Sequence, residues 1–433
     1  MNKLKTLDLV PVCMALTAAF CTIQVRAQST PGPGNKTQIV IPQSPLNANA
    51  PLTGSEVNQS RPSQDVQALD GTGIISMSSI RKPQLLVGGA VSGGYDSNPL
   101  NLGDAKSSML YSVSPYLSMQ SSTNRTQFLI QYHPTITRYS SYSGKTMHLA
   151  TAKMIGSISP RLSWAVDVAG SHGDDSLRLL GPAQTGSGSG TFLPNAGVVT
   201  NIDSGADLHY DASPRDVLGL HFSNSYSSFP ALKRTGSVAT ASFSYNHALK
   251  QSLSLQIYEQ SSRYYGDLKC TAIGAGVGIR WQPRESTLIS LKGGPQIDTP
   301  GCNSQQGFSY GASIARKLPR RSQLFVTADR QPVVSYLGSG LWQDDVSAGY
   351  ERSFQSSNVL SFDVGFVHSS TLANASSYHG TFFDASYVRQ LHRNVSLGWG
   401  YRTFTGASGP IDIRRNILQF SLTFTPHPRP VSQ

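Results

Sequence analysis

Beyond its first thirty residues the chain has no apolar run near the roughly 18 consecutive residues of a membrane-crossing helix, which excludes that mode of insertion for the mature protein. It also has little helical periodicity anywhere, although a soluble domain of this length normally mixes in helix. Cysteine is scarce: of four, only Cys270 and Cys302 lie outside the N-terminal segment, too few for a disulfide scaffold and enough for one bridge in an oxidising compartment. Ten histidines scatter without a pair at metal-ligand spacing. No Ser/His/Asp spacing stands out, and neither His172-Gly173-Asp174-Asp175 nor Tyr378-His379-Gly380 assembles a catalytic set. The expectation is therefore a non-enzyme with no catalytic residue, resident metal or cofactor, and no nucleic-acid partner.

What the chain has instead is period-two alternation, sustained from Gln84 to Thr425, in a sequence that holds 40 Gly, 18 Tyr and 16 Phe overall at a mean hydropathy of −0.22. A strand with one face in lipid and one in water needs about half its residues apolar, which gives a modest mean of this kind. Leu418, Phe420, Leu422 and Phe424 share one face opposite Gln419, Ser421 and Thr423, and Leu360, Phe362, Val364 and Phe366 oppose Ser361, Asp363 and Gly365. About eighteen segments of ten or more residues follow one another, with sixteen the alternative count, and they predict a closed antiparallel transmembrane β-barrel in an all-β chain. Closure also removes the exposed edges that would make so many strands an aggregation hazard.

The connections alternate in length. Ser159-Pro160-Arg161, Ser213-Pro214-Arg215-Asp216, Gln282-Pro283-Arg284-Glu285 and Leu318-Pro319-Arg320-Arg321 are tight turns after even-numbered strands, where proline presets the turn and ends the ladder. The stretch from Gly173 to Val199, with Gly186-Ser187-Gly188-Ser189-Gly190, is the longest connection. Short turns on one side and long loops on the other predict an outer-membrane barrel with both termini periplasmic.

Outside the barrel three zones are expected. Residues 1–27 read as a secretory signal: Lys3 and Lys5, an apolar core from Leu9 to Phe20, and Val25-Arg26-Ala27 before the cut. Residues 28–82, with Pro31, Pro33, Pro42, Pro45, Pro51 and Pro62 among Ser, Asn and Gln, read as a disordered periplasmic extension. The barrel is expected over 83–425, and 426–433 as a polyproline-like periplasmic tail. The net charge of +11 becomes +9 once Lys3, Lys5, Arg26 and Asp8 leave with the signal, an excess that favours anions such as lipopolysaccharide phosphates.

Strand parity points Arg280, Lys292, Asp329, Asp363, Asp384 and Arg402 into the lumen, with His133, Lys153, Asp167, Asp207, His209 and His221. The mixture of signs argues against a strongly basic pore. Cys270 and Cys302 fall at the outer ends of adjacent strands and are expected to form a disulfide.

The segment Val91-Ser92-Gly93-Gly94-Tyr95-Asp96-Ser97-Asn98-Pro99, closing the first strand after a Pro-rich stretch, resembles the outer-membrane barrels associated with exosortase or exopolysaccharide loci. The resemblance implies a role in exporting or displaying polysaccharide, and brings no catalytic residues. The aromatic-ending last strand, with Phe420 and Phe424, is similar to those that barrel-assembly machinery recognises. Together these readings predict a porin-like channel passing polysaccharide or small hydrophilic solutes, with outer-membrane lipid, lipopolysaccharide, the assembly machinery and periplasmic export components as partners. The alternative is a non-conducting barrel that displays surface loops for adhesion or anchors an envelope complex.

Overall fold

The computed structural model describes residues 84–100, 106–123, 125–174, 198–230, 233–266, 269–299, 306–334, 340–354, 358–371, 378–392, 394–408, 411–424 and 429–430. The expected signal and extension, most of the tail, Asp175 and Cys302 lie outside these.

Eighteen long strands follow in chain order. The first six are β1 (Gln84–Asp96), β2 (Ser108–Ser122), β3 (Thr126–Tyr139), β4 (Lys145–Ser159), β5 (Leu162–Asp174) and β6 (Val198–Asp211). Next come β7 (Asp216–Phe229), β8 (Arg234–Lys250), β9 (Leu253–Tyr265), β10 (Cys270–Arg284), β11 (Thr287–Asp298) and β12 (Gln306–Leu318). The series ends with β13 (Ser322–Val334), β14 (Gly340–Phe354), β15 (Asn358–Thr371), β16 (Tyr378–His392), β17 (Val395–Ser408) and β18 (Ile411–Phe424). Each is antiparallel to the next, and β1 pairs with both β2 and β18, so the sheet closes into a barrel.

The seam between β1 and β18 runs from Gly89 opposite Phe424 to Asp96 opposite Ile417. Since β1 begins at Gln84, its first residues extend past the end of β18. A two-residue strand, β19 (Arg429–Pro430), supplies the missing partner, with Leu85 opposite Arg429 and Gln84 opposite Pro430. The expected tail therefore meets the barrel at these two residues. Unpaired backbone groups on β1 would otherwise form a short open edge, and a proline can serve there because it needs only to accept.

The two faces are inverted relative to a soluble sheet. Val277 is 65% exposed, Ile297 64% and Phe420 55%, whereas Gln343 is 0%, Ser347 1% and Asp363 1%. Apolar area turned outward in water forfeits about 25 cal/mol per Å², so a continuous outer wall of Val, Ile, Leu and Phe is stable only against lipid. Together with closure, this face defines a membrane-spanning β-barrel. Among the described residues no helix is long and apolar enough to cross a membrane, so the strands make the crossing.

Register shifts occur at Ser157/Ser159, Ala248/Lys250, Trp281/Arg284 and Gln390/His392. All lie at the turn ends of even-numbered strands. Bulges there add twist where the ladder must reverse. In one such turn the Ser213 hydroxyl accepts from the Arg215 and Asp216 amides at 3.1 Å each, while Ser213 and Asp216 exchange backbone bonds at 3.2 Å.

Candidate functional site: the inner wall and its outer seam

The inner wall carries its charges in sectors. Arg280 and Lys292 lie on neighbouring β10 and β11; Arg280 is buried, and the Lys292 ammonium sits 5.9 Å from the centre of the Tyr258 ring on β9. Tyr258 reaches across two strands to Ser309 on β12, with its hydroxyl 3.4 Å from Oγ. Gly276 makes that crossing possible, since a Cβ there would lie 2.6 Å from the Tyr258 ring and 2.4 Å from the Gly293 carbonyl.

An acidic sector spans β13 to β16. Asp329 is directly opposite Asp345, and Asp363 directly opposite Asp384, with all four buried. Arg402 on β17 borders the sector, its Nε donating to Asp384 Oδ2 at 2.7 Å and its Nη2 at 2.6 Å from the same oxygen. A third group lies between β4 and β7, where Lys153 is opposite Asp167 and His221 Nδ1 is 2.7 Å from Asp207 Oδ1. His133 and His209 are on the inner faces of β3 and β6.

Of the candidate residues, Asp363, Asp384 and Arg402 come together across adjacent strands, as do Lys153 with Asp167 and Asp207 with His221. Arg280 and Lys292 lie on adjacent strands, and Asp329 stands opposite Asp345, which was not singled out from sequence. The interior also narrows: β13 approaches β7 and β8 to within 8 Å between Cα atoms, although none is its neighbour in the sheet. Backbones that close leave room for side chains alone between β13 and these two strands.

The second feature, also missed from sequence, is at the loop end of the seam. Asp96 and Arg415 are both 0% exposed and form a two-point ion pair, with Nε donating to Oδ1 at 3.0 Å and Nη2 to Oδ2 at 2.5 Å. The Asn98 amide donates to Asp96 Oδ1 at 3.0 Å, and the Tyr139 hydroxyl donates to Oδ2 at 3.5 Å. Asn98 Nδ2 donates to the Arg414 carbonyl at 3.2 Å, and the Asn416 amide donates to Ser97 Oγ at 2.8 Å. Asp96, Ser97 and Asn98 thus grip three consecutive residues, Arg414 to Asn416, and lock the first strand to the last. Beside them lies an apolar luminal cluster of Leu110, Tyr139, Val367, Phe382, Phe404, Ile413 and Ile417. The signal available in sequence was the period-two run Ile413, Arg415, Ile417, which continues the inner face of β18.

Cys270 is buried at the loop end of β10, beside Tyr264 and Ala272, and is disulfide-bonded. Its expected partner, Cys302, lies outside the described residues. We expect non-reduced peptide mapping of the mature protein to recover Cys270 and Cys302 in one linked fragment; two free thiols would refute the pairing.

The class these features define is a closed, 18-stranded antiparallel membrane β-barrel with a polar inner wall. No protein-family model matches the chain, and no curated protein matches it in sequence. Among solved structures it is similar to OccK5 (OpdH) of Pseudomonas aeruginosa, at 11% identity and a TM-score of 0.44 over 80% of this chain and 99% of that one. OpdQ of the same organism gives 10% identity and a TM-score of 0.42, over 80% and 100%. A bacterial polysaccharide outer membrane secretin gives 10% and 0.34, over 79% and 99%. Likenesses this distant carry no argument about cargo or mechanism.

Proposed function

We propose that the protein is an outer-membrane channel for small hydrophilic solutes, with both termini in the periplasm. The observation that carries this reading is the closed wall itself: lipid-compatible outside, lined inside by Ser, Thr, Gln and charges of both signs. Such a lining solvates a polar solute, while the acidic sector of Asp329, Asp345, Asp363 and Asp384 favours cations over anions. The close approach of β13 to β7 and β8 favours small solutes over a polysaccharide chain. The tight turns support a periplasmic location for the ends of β1 and β18, which share that side. Partners on this reading are outer-membrane lipid, lipopolysaccharide and the barrel-assembly machinery.

A second reading has its own support. The narrowing and the apolar cluster at the loop end would suit a non-conducting barrel that displays its loops or anchors a polysaccharide-export complex in the periplasm. Planar-bilayer recording of the mature chain, with and without residues 28–82, separates the two. Discrete conductance steps in both forms are expected of the channel; steps only after truncation would make the extension a plug, and none in either would favour the second reading.

A further inference from the structure

On the outer wall at the turn end, where β12 to β16 reverse, lies a cavity of about 770 Å³ lined by Arg320, Arg321, Arg352, Phe354, Asn358 and Tyr387. Arg352 and Phe354 share the face of β14 that also carries exposed Val346, opposite to buried Gln343, Asp345 and Ser347, so the cavity opens toward lipid rather than toward the lumen. Its position is the interfacial level at which aromatic residues and basic side chains meet headgroups.

Three observations indicate that it is made for a ligand. The Arg352 guanidinium is stacked over the Phe354 ring at 4.5 Å, yet its Nε is buried and has no hydrogen-bond partner. Asn358 Oδ1, in the same cavity, is also buried and lacks a donor. Finally, Arg320 and Arg321 have φ of 62° and 57°. A turn requiring left-handed backbone at two successive positions is best served by Asn-Gly, and this chain instead places two arginines there. Residues held in an unfavourable conformation point to use of their side chains.

We infer that this cavity binds the headgroup of an anionic glycerophospholipid in the periplasmic leaflet. Three guanidinium groups supply forked donors for a phosphodiester, Arg352 Nε being the one without a partner. Asn358 Oδ1 accepts a hydroxyl from a glycerol headgroup, while an ammonium headgroup would be repelled by the arginines. Leu324 and Phe362, exposed on the same wall farther from the turns, continue into an apolar track for the acyl chains. The inference rests on the membrane-barrel assignment and is independent of whether the lumen conducts.

Native mass spectrometry of the full mature chain, delipidated and re-exposed to defined lipid, tests it. Phosphatidylglycerol adducts are expected to persist at collision energies that strip phosphatidylcholine. The double variant Arg320→Asn with Arg321→Gly, which relieves the turn, and separately Arg352→Gln, are expected to lower adduct retention about tenfold. Arg161→Gln with Arg215→Gln, in other turns, should leave it unchanged, and heat-modifiable gel migration reports that every variant is folded. Equal retention of phosphatidylcholine, undiminished adducts in folded cavity variants, or an equal loss in the control pair would overturn the site. Displacement of the lipid by millimolar inorganic phosphate would reassign it to a soluble phosphate ligand and overturn the lipid assignment.

Discussion

Replacing Asp96 by alanine is expected to destabilise the barrel by about 3–5 kcal/mol, because it strands the Arg415 guanidinium in a site with no access to water. Both partners are completely buried, and Arg415 sits on β18 between Ile413 and Ile417. The loss is expected to be far smaller when both charges go together: Asp96→Leu with Arg415→Met leaves nothing uncompensated, and well-packed apolar replacements of buried pairs are often neutral. Urea unfolding in phospholipid vesicles, followed by the fluorescence of the 4 tryptophans, measures the single and double variants as a cycle. A single-variant cost near that of an exposed pair, about 0–1 kcal/mol, would mean the seam is not held by this contact.

The second large effect concerns the outer face. Val277 lies midway along β10 and points outward at 65% exposure. Arginine there is expected to cost about 2–4 kcal/mol in a bilayer, because it must sit at the midplane of the hydrocarbon. Ile297 is equally exposed, but lies one residue from the loop end of β11, where the same substitution is expected to cost only about 0–1 kcal/mol. On a water-facing surface neither change would matter much, so the gradient between the two separates lipid from solvent. Equal costs at both positions would contradict the assignment of this wall to the membrane.

The period-two pattern sufficed to locate the middle of each strand, because lipid on one side and polar groups on the other leave a direct mark on side-chain choice. The strand ends were harder to read. Alternation alone starts β18 at Asn416, whereas the strand begins at Ile411. The intervening Asp412, Arg414 and Arg415 look like loop residues, since two face outward beyond the apolar band and the third is neutralised by Asp96, 319 positions away in sequence. The same holds for β17, which runs on to Ser408 past Phe404. Local composition cannot reveal a charge whose partner is supplied by barrel closure.

The site was legible in part for the same reason. Parity sufficed to nominate the inner-wall charges, but which of them meet depends on register: Asp384 faces both Asp363 and Arg402, while Arg280 lies opposite Ser290 and Ser254. The Gly-Tyr-Asp-Ser-Asn segment was visible as a motif. Its physical role emerges only when Asp96, Ser97 and Asn98 are seen gripping Arg414 to Asn416, so the motif acts as the lock of the barrel seam. The approach of β13 to β7 and β8 had no sequence signal, since it depends on how the closed wall bends.

The most direct test of the whole account is single-channel recording of the full mature protein in a planar bilayer, under a salt gradient. Discrete steps are expected, with a reversal potential favouring cations that moves toward zero in Asp329→Asn with Asp363→Asn as the acidic sector loses charge. Silent bilayers from folded protein, both with and without residues 28–82, would contradict it.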